Sequence, residues 1–173
     1  MELRALLRLI TTEHTTTCGG LPCWVTLACD GATLNSGEPL EACAVLLDAM
    51  DKDGNDDDDD PKVVAFGVNC TPPQHAEAAV ALLRRTLSPG GRRLLMVYPN
   101  SGENWDGQAK MWTPGSGISE PEAFAALAER WVAAGARVVG GCCRTTPATI
   151  AALRRRLVGG EGEGKGGGER AGT

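Results

Sequence analysis

Apolar runs that alternate with helical patterns are the feature that most restricts the fold of this chain. Four runs have the length of buried strands, at residues 22–31, 62–70, 92–100 and 136–141. Apolar residues recur at helical spacing around them, at residues 2–10, 40–50, 74–87, 121–134 and from Thr146 onward. Continuous apolar strands separated by helices are typical of a parallel sheet covered on both faces. The sequence therefore predicts an α/β fold with four βα units, either a small open sheet or half of a (β/α)8 barrel, which typically needs about 250 residues.

Two finer features concern the helix ends and the core. Ser119 and Glu122 have the spacing of a capping box at the start of the fourth of these helices, and Gly135 has the position of its stop. Trp24 and Trp131 lie on apolar segments, so we expect both in the core.

Charge and composition argue against several classes of function. The 173-residue chain has a formal net charge of −5, but seven aspartates and one lysine lie in residues 51–60, so the rest carries about +1. We interpret this run as a disordered, solvated loop, because it lacks the spaced ligands and closing glutamate of a calcium loop. No basic stripe indicates nucleic-acid binding, and no apolar stretch approaches the roughly 18 residues of a membrane span. No targeting segment is visible, so we expect a cytoplasmic protein.

Polar and reactive side chains gather at one end of each predicted strand. They are Cys29 and Asp30, then Asn69 and Cys70, then residues 98–103, then residues 142–144. The carboxyl ends of parallel strands share one face of an α/β fold, where ligands bind. We therefore expect the functional site at this face.

The chain has seven cysteines, an odd number without a secretory signal, so we expect reduced thiols. Neighbours in a regular strand point to opposite faces, so Cys142 and Cys143 reach one ion only if Gly140 and Gly141 let the strand end bend. Cys70 lies at the equivalent end of the second predicted strand, two strands before the one that ends in Cys142 and Cys143. Three thiolates that converge at this face could bind a zinc ion and leave its fourth position open, as in a catalytic zinc site. The spacing alone leaves core packing and a redox pair as alternatives. We interpret the other cysteines as packing residues: Cys18, Cys23, Cys29 and Cys43.

Four further residues are candidates for roles at this face. Asn69 and Asn100 either line a substrate pocket or cap turns. Arg144 either orients a carboxylate or forms a surface ion pair. His75 follows the turn after Cys70, and we interpret it as a residue of the first helical turn and not as a ligand.

Three motifs in this order closely resemble the homocysteine S-methyltransferase family. They are "GVNCTPP" (67–73), "VYPNSGE" (97–103) and "GGCCRTTP" (140–147), and "ACDGATLNSGEPLEAC" is similar to the segment after the family's fifth strand. The resemblance covers residues 1–158, with the aspartate run as an insertion, and is closest to plant-type enzymes. It implies a (β/α)8 barrel, of which residues 1–158 form a partial domain, while composition predicts an acidic loop at 51–60 and a disordered Gly/Glu-rich tail at 159–173.

The resemblance also implies a function. Zinc is expected on Cys70, Cys142 and Cys143, with the homocysteine thiol as the fourth ligand. A methyl group would pass from a sulfonium donor, S-methylmethionine or S-adenosylmethionine, to that thiol and give methionine. Family members carry about four more βα units ahead of this region, so the chain would correspond to the C-terminal half of the barrel. Self-association or a separate N-terminal half would complete it. The alternative is a non-catalytic zinc-binding remnant that acts only through association with another chain.

Overall fold

The computed structural model of the chain describes residues 3, 5, 21–52, 63–88 and 93–159. The strands are β1 (Cys23–Asp30), β2 (Thr33–Leu34), β3 (Val63–Asn69), β4 (Leu94–Tyr98), β5 (Trp105–Asp106), β6 (Met111–Trp112) and β7 (Val138–Val139). The helices are α1 (Leu40–Lys52), α2 (Pro73–Thr86), α3 (Pro121–Ala134) and α4 (Pro147–Val158).

The main sheet has the order β2-β1-β3-β4-β7. Its pairs β1/β3, β3/β4 and β4/β7 are parallel, and the short β2 runs antiparallel to the end of β1. The strands β5 and β6 form a separate hairpin. A parallel sheet with four helices confirms the predicted α/β class. The two-residue β7 is much shorter than the strand predicted over 136–141.

The helices pack side by side in chain order, α1 on α2, α2 on α3 and α3 on α4. Helices that contact one another in this way lie on the same face of the sheet, and the core forms between them and the strands. Phe66 of β3 is fully buried, and Phe124 and Trp131 of α3 meet edge to face with ring centroids 5.3 Å apart. The expectation that Trp131 lies in the core is confirmed.

The second face of the sheet is more open than the sequence predicts. In β1 Val25 is buried whereas Trp24 is 62% exposed, and in β4 Leu95 and Val97 are buried whereas Leu94 is 46% exposed. Adjacent strand residues point to opposite faces. The prediction of a core position for Trp24 is therefore wrong, and the second face is open at β1 and β4, whereas in β3 the adjacent Ala65 and Phe66 are both buried.

The ends of α3 show one success and one error. Gly135 has φ 125° and its N–H donates to the carbonyl oxygens of Trp131 and Val132, so it ends the helix as predicted. The Ser119–Glu122 capping box is wrong, because Glu120 occupies the N-cap position and makes no side-chain cap hydrogen bond. Proline is favoured at the first helical position, and Pro121 takes it here, which places the N-cap at Glu120, one residue beyond Ser119.

Some expectations fall outside the described residues. Of the helix predicted at 2–10 only Leu3 and Ala5 are described, and both are helical. Most of the aspartate run and of the tail lies outside as well: 53–60 and 160–173. Within the described ranges, every helix is too short or too polar to cross a membrane.

Candidate metal centre

Three cysteines from two strand ends meet at the carboxyl edge of the parallel sheet. The Sγ atom of Cys143 lies 3.9 Å from the Sγ of Cys70 and 3.9 Å from the Sγ of Cys142. All three sulfurs lie within 4.8 Å of one another, and no other such group of His, Cys, Asp or Glu occurs among the described residues. The structure thus brings together the three cysteines that the sequence singled out.

Cys70 follows the last residue of β3 and turns the chain toward α2. Its N–H donates to the carbonyl oxygen of Tyr98 at 3.2 Å, which continues the β3/β4 ladder by one residue. Its φ of 49° lies in the left-handed region, which is uncommon for a non-glycine residue and is found at turns and functional sites. The side-chain amide of Asn100 donates to the carbonyl oxygen of Cys70 at 3.1 Å and holds this turn against the loop after β4.

The loop after β7 holds Cys142 and Cys143 by their backbone. The N–H of Cys142 donates to the carbonyl oxygen of Pro99 at 2.8 Å, and the Cys143 carbonyl accepts from the N–H of Ser101 at 3.0 Å. Thr145 Oγ1 donates to the Cys142 carbonyl at 2.7 Å and closes a tight turn. A Cβ atom on Gly141 would lie 2.4 Å from this Oγ1, so the turn requires glycine there. The chain thus bends where the sequence predicts it, and both thiols reach the same side.

The geometry of the sulfurs fits a zinc ion. With Zn–S bonds of about 2.3 Å, a tetrahedral site places its ligand sulfurs about 3.8 Å apart. Two of the observed sulfur–sulfur distances are 3.9 Å. Thiolates are soft ligands that zinc accepts readily, and three of them leave one position of a tetrahedron for another group.

The three thiols are electrostatically unequal without a metal. Burial would raise the pKa of Cys70, but hydrogen bonds with Cys142, Cys143 and Asn69 outweigh it, so the pKa lies below the usual thiol value. Burial, followed by the hydrogen bond to Cys70, raises the pKa of Cys142 to about 12. Without a metal, Cys142 therefore holds its proton more tightly than Cys70 does.

The two asparagines that the sequence proposed for substrate binding have different surroundings. Asn69 is the half-buried last residue of β3, and its side chain contacts the Cys70 thiol. The side-chain amide of Asn100 hydrogen-bonds to the backbone through both of its polar atoms: Nδ2 donates to the Cys70 carbonyl, and Oδ1 accepts from the N–H of Gly102 at 2.7 Å. The turn-capping role is therefore observed for Asn100, and neither contact tests a role in substrate binding.

Arg144 pairs with a buried carboxylate. Its Nε donates to Oε2 of Glu103 at 2.8 Å, and the Glu103 side chain is only 3% exposed while that of Arg144 is 47% exposed. The hydrogen bond from Arg144, followed by that from Ser101, holds the pKa of Glu103 below its usual range. The sequence left open whether Arg144 orients a carboxylate or pairs on the surface, and the carboxylate it meets is one of the protein's own.

His75 stands in the first turn of α2, as predicted, outside the cysteine cluster. Its Nδ1 lies 2.5 Å from Oδ1 of Asp30, at the end of β1. This hydrogen bond joins two elements at the carboxyl edge of the sheet. Both pairs, His75–Asp30 and Arg144–Glu103, escaped the sequence reasoning because their partners lie 45 and 41 residues apart.

The fold and this site define a class: α/β proteins in which three thiols converge at the carboxyl edge of the parallel strands in a geometry that could hold a metal ion. The chain belongs to the homocysteine S-methyltransferase family, whose family model, described as "Homocysteine S-methyltransferase", matches residues 1–157.

Similar proteins agree with this assignment. Homocysteine S-methyltransferase 1 of Zea mays is 41% identical over 160 residues, which are 92% of this chain and 44% of that protein. Selenocysteine Se-methyltransferase of Brassica oleracea var. italica is 39% identical over 129 residues, 75% of this chain and 33% of that protein. The metallated form of the homocysteine methyltransferase MmuM from Escherichia coli matches 90% of this chain and 41% of its own, with a TM-score of 0.58 and 33% identity. The chain thus spans less than half the length of these relatives.

Proposed function

We propose that this chain provides the metal-binding part of a zinc-dependent homocysteine S-methyltransferase, which transfers a methyl group from a sulfonium donor to the thiol of homocysteine. The observation that carries the proposal is the convergence of the Cys70, Cys142 and Cys143 sulfurs. Membership of the family and the metallated bacterial neighbour support it. Asn69, beside Cys70, remains our candidate for a substrate contact, and Asn100 a weaker one, because its amide is occupied by the backbone.

The proposed reaction is a displacement at carbon. The bond between the donor sulfur and its methyl group breaks, a bond between the homocysteine sulfur and that methyl forms, and the thiol proton leaves to solvent. The products are methionine and the demethylated donor. A free thiol is mostly protonated at neutral pH, since its pKa is about 8.5. When bound, zinc supplies the charge that favours the reactive thiolate. The three cysteines would hold the ion, and the sheet edge would orient the acceptor beside it.

We further propose that the parallel sheet corresponds to four βα units of a (β/α)8 barrel and that residues 1–158 form this unit. A (β/α)8 barrel has a closed sheet, whereas the described residues leave one side of β1 paired only by the two-residue β2. We propose that a second copy of this chain or a separate chain supplies the remaining strands.

The test is methyl transfer by the full 173-residue chain, loaded with zinc and kept reduced. Homocysteine serves as acceptor, and S-methylmethionine and S-adenosylmethionine serve as donors in parallel reactions. Selenocysteine is a second acceptor, because one relative is named for it. Methionine is measured by mass spectrometry, zinc by elemental analysis and size by light scattering on the same sample. A Cys142→Ser variant is the control for metal-independent transfer.

Methionine formation that the control lacks would support the proposal and identify the donor. One zinc per chain without methionine would favour the non-catalytic remnant. Absence of zinc from a folded sample would contradict the ligand assignment itself. A monomer that forms methionine would contradict the proposed need for a second chain.

A further inference from the structure

A buried carboxylate lies behind the cysteine loop. Glu103 follows β4, and its side chain is 3% exposed. Its Oε2 accepts from Ser101 Oγ at 2.9 Å and from Arg144 Nε at 2.8 Å, while Arg144 Nη2 lies 3.5 Å from Oε1. A charge in this position is costly to bury unless it is paired, and the two donors together satisfy it.

Two of these residues, Ser101 and Arg144, bear directly on the backbone at Cys143. Ser101 donates its N–H to the Cys143 carbonyl at 3.0 Å, and Arg144 is the next residue along the chain. Arg144 has a φ of 66°, a left-handed conformation that a non-glycine residue keeps only when its surroundings impose it. The ion pair to Glu103 is the contact that fixes this side chain. The backbone that follows the Cys143 Cα therefore depends on two residues that both bind the Glu103 carboxylate.

We propose that the Glu103–Arg144 ion pair is a positioning device that holds Cys143 where its sulfur meets those of Cys70 and Cys142, and so sets the affinity of the site for metal. Neither residue touches the metal or the substrate in this role. The inference rests on the proposed metal role of the three cysteines.

A pair of this kind differs from the exposed ion pairs elsewhere in the chain. Arg156 and Glu129 join α4 to α3 with side chains 39% and 52% exposed, and such surface pairs contribute little because water competes for both partners. The Glu103 carboxylate has no such alternative, since it is buried. Removal of a residue that orients a metal ligand without binding the metal itself commonly lowers metal affinity by about 10–100-fold.

The experiment measures zinc dissociation constants of the full chain by competition with a chromophoric chelator. Arg144→Met removes the guanidinium group that pairs with Glu103. Arg156→Met is the matched control, because it makes the same substitution in an exposed ion pair. We expect Arg144→Met to weaken zinc binding about tenfold and Arg156→Met to leave it unchanged. Cobalt(II) absorption gives a second readout, because its visible bands report tetrahedral thiolate coordination, and we expect weaker bands for Arg144→Met only. Unchanged affinity and unchanged bands in a folded Arg144→Met would overturn the proposal.

Two milder variants cover the case in which Arg144→Met does not fold. Arg144→Lys keeps the charge but loses the planar fork, and Glu103→Gln keeps the shape but loses the charge. Both should weaken zinc binding by less than Arg144→Met. In the double variant Glu103→Gln/Arg144→Lys, the loss should be smaller than the product of the two single losses, because the residues act as a unit. If the loss of zinc affinity in the double variant equalled the product of the two single losses, the argument that the two residues act as a pair would be overturned.

The two proposals fail in different ways. If the unmodified chain takes up no zinc and shows no thiolate bands with cobalt, the metal role fails and the positioning role fails with it. If the unmodified chain binds zinc through the cysteines and all Glu103 and Arg144 variants match it, only the positioning role fails.

Discussion

Cys29 and Cys70 both stand at the carboxyl end of a parallel strand, yet their surroundings are opposite. Cys29 is still part of β1, where it pairs with Leu34, and its side chain is 1% exposed in the core. Cys70 lies one residue beyond β3 in a left-handed turn, and its sulfur meets two others. A strand-end position therefore does not make a ligand. The residue must leave the strand, because within it the two-residue alternation decides the direction of the side chain.

The difference extends to proton affinity. Burial is the main cause that raises the pKa of Cys29, and the nearby Asp30 carboxylate adds to it. Burial also raises the pKa of Cys43 in α1. At Cys70 the neighbouring thiols and Asn69 reverse the effect of burial. The core thiols Cys29 and Cys43 thus hold their protons more tightly than an ordinary thiol does, whereas Cys70 of the cluster loses its proton more readily.

The largest effect should follow the loss of a cluster sulfur. Cys142→Ser removes one of three soft ligands, and a hydroxyl is a poor substitute for a thiolate on zinc. We expect stoichiometric zinc binding to be lost, as measured by elemental analysis after dialysis. Cys43→Ser, which changes the buried cysteine of α1, is the control and should retain one zinc per chain. Stoichiometric zinc in Cys142→Ser would contradict the ligand assignment.

Alkylation of the metal-free chain should sharpen the contrast between Cys70 and Cys29. The thiolate is the reacting form, so a lowered pKa and partial exposure make Cys70 fast, whereas a raised pKa and burial make Cys29 slow. We expect a rate ratio well above tenfold at pH 7.5, measured by iodoacetamide labelling and peptide mass spectrometry. Cys142 should also react slowly, because its pKa is raised to about 12. Zinc should protect Cys70 and leave Cys29 unchanged; equal rates for Cys70 and Cys29 would remove the distinction.

The sequence predicted the cluster but not the contacts that hold it. Apolar runs followed by polar strand ends were enough to place Cys70, Cys142 and Cys143 on one face, because parallel strands share their carboxyl edge. The Glu103–Arg144 pair lay among the strand-end residues, yet no local pattern joins residues 41 positions apart. Such a contact depends on how the loops after β4 and β7 fold against each other, and periodicity carries no information about that.

Exposure was the other property that the sequence could not supply. Trp24 and Trp131 both lie on apolar segments. Trp131 of α3 is buried in the core, whereas Trp24 of β1 faces the open side of the sheet. The alternation of β1 would have placed Trp24 opposite to Val25, but it could not tell which face is covered. The capping box failed for a different reason, since Ser119 and Glu120 both precede the proline and the pattern favoured the better capping side chain.

A smaller effect should follow from crowding the cluster loop without touching a sulfur. Gly141→Ala would place its Cβ 2.4 Å from Thr145 Oγ1, the atom that donates to the Cys142 carbonyl. We expect the loop to shift and zinc affinity to fall about tenfold, measured by chelator competition. Gly107→Ala in the β5–β6 hairpin is the control, because a Cβ there meets nothing within 4 Å. An unchanged zinc affinity in Gly141→Ala would show that the turn adapts and does not set the sulfur positions.

The smallest effect belongs to the core side of the comparison. Cys29→Ala removes a buried sulfur and leaves a small cavity, so we expect the free energy of unfolding to fall by about 1 kcal/mol, measured by urea denaturation. Zinc affinity should not change, since Cys29 packs on the helix side of β1 while the cluster lies beyond the strand ends. The informative quantity is the ratio of the two effects in one variant: stability falls and affinity stays. If zinc affinity fell together with stability, β1 and the metal loops would form one cooperative unit. Packing thiols and ligand thiols would then still differ in their chemistry, but a change at a packing thiol would alter the free energy of metal binding.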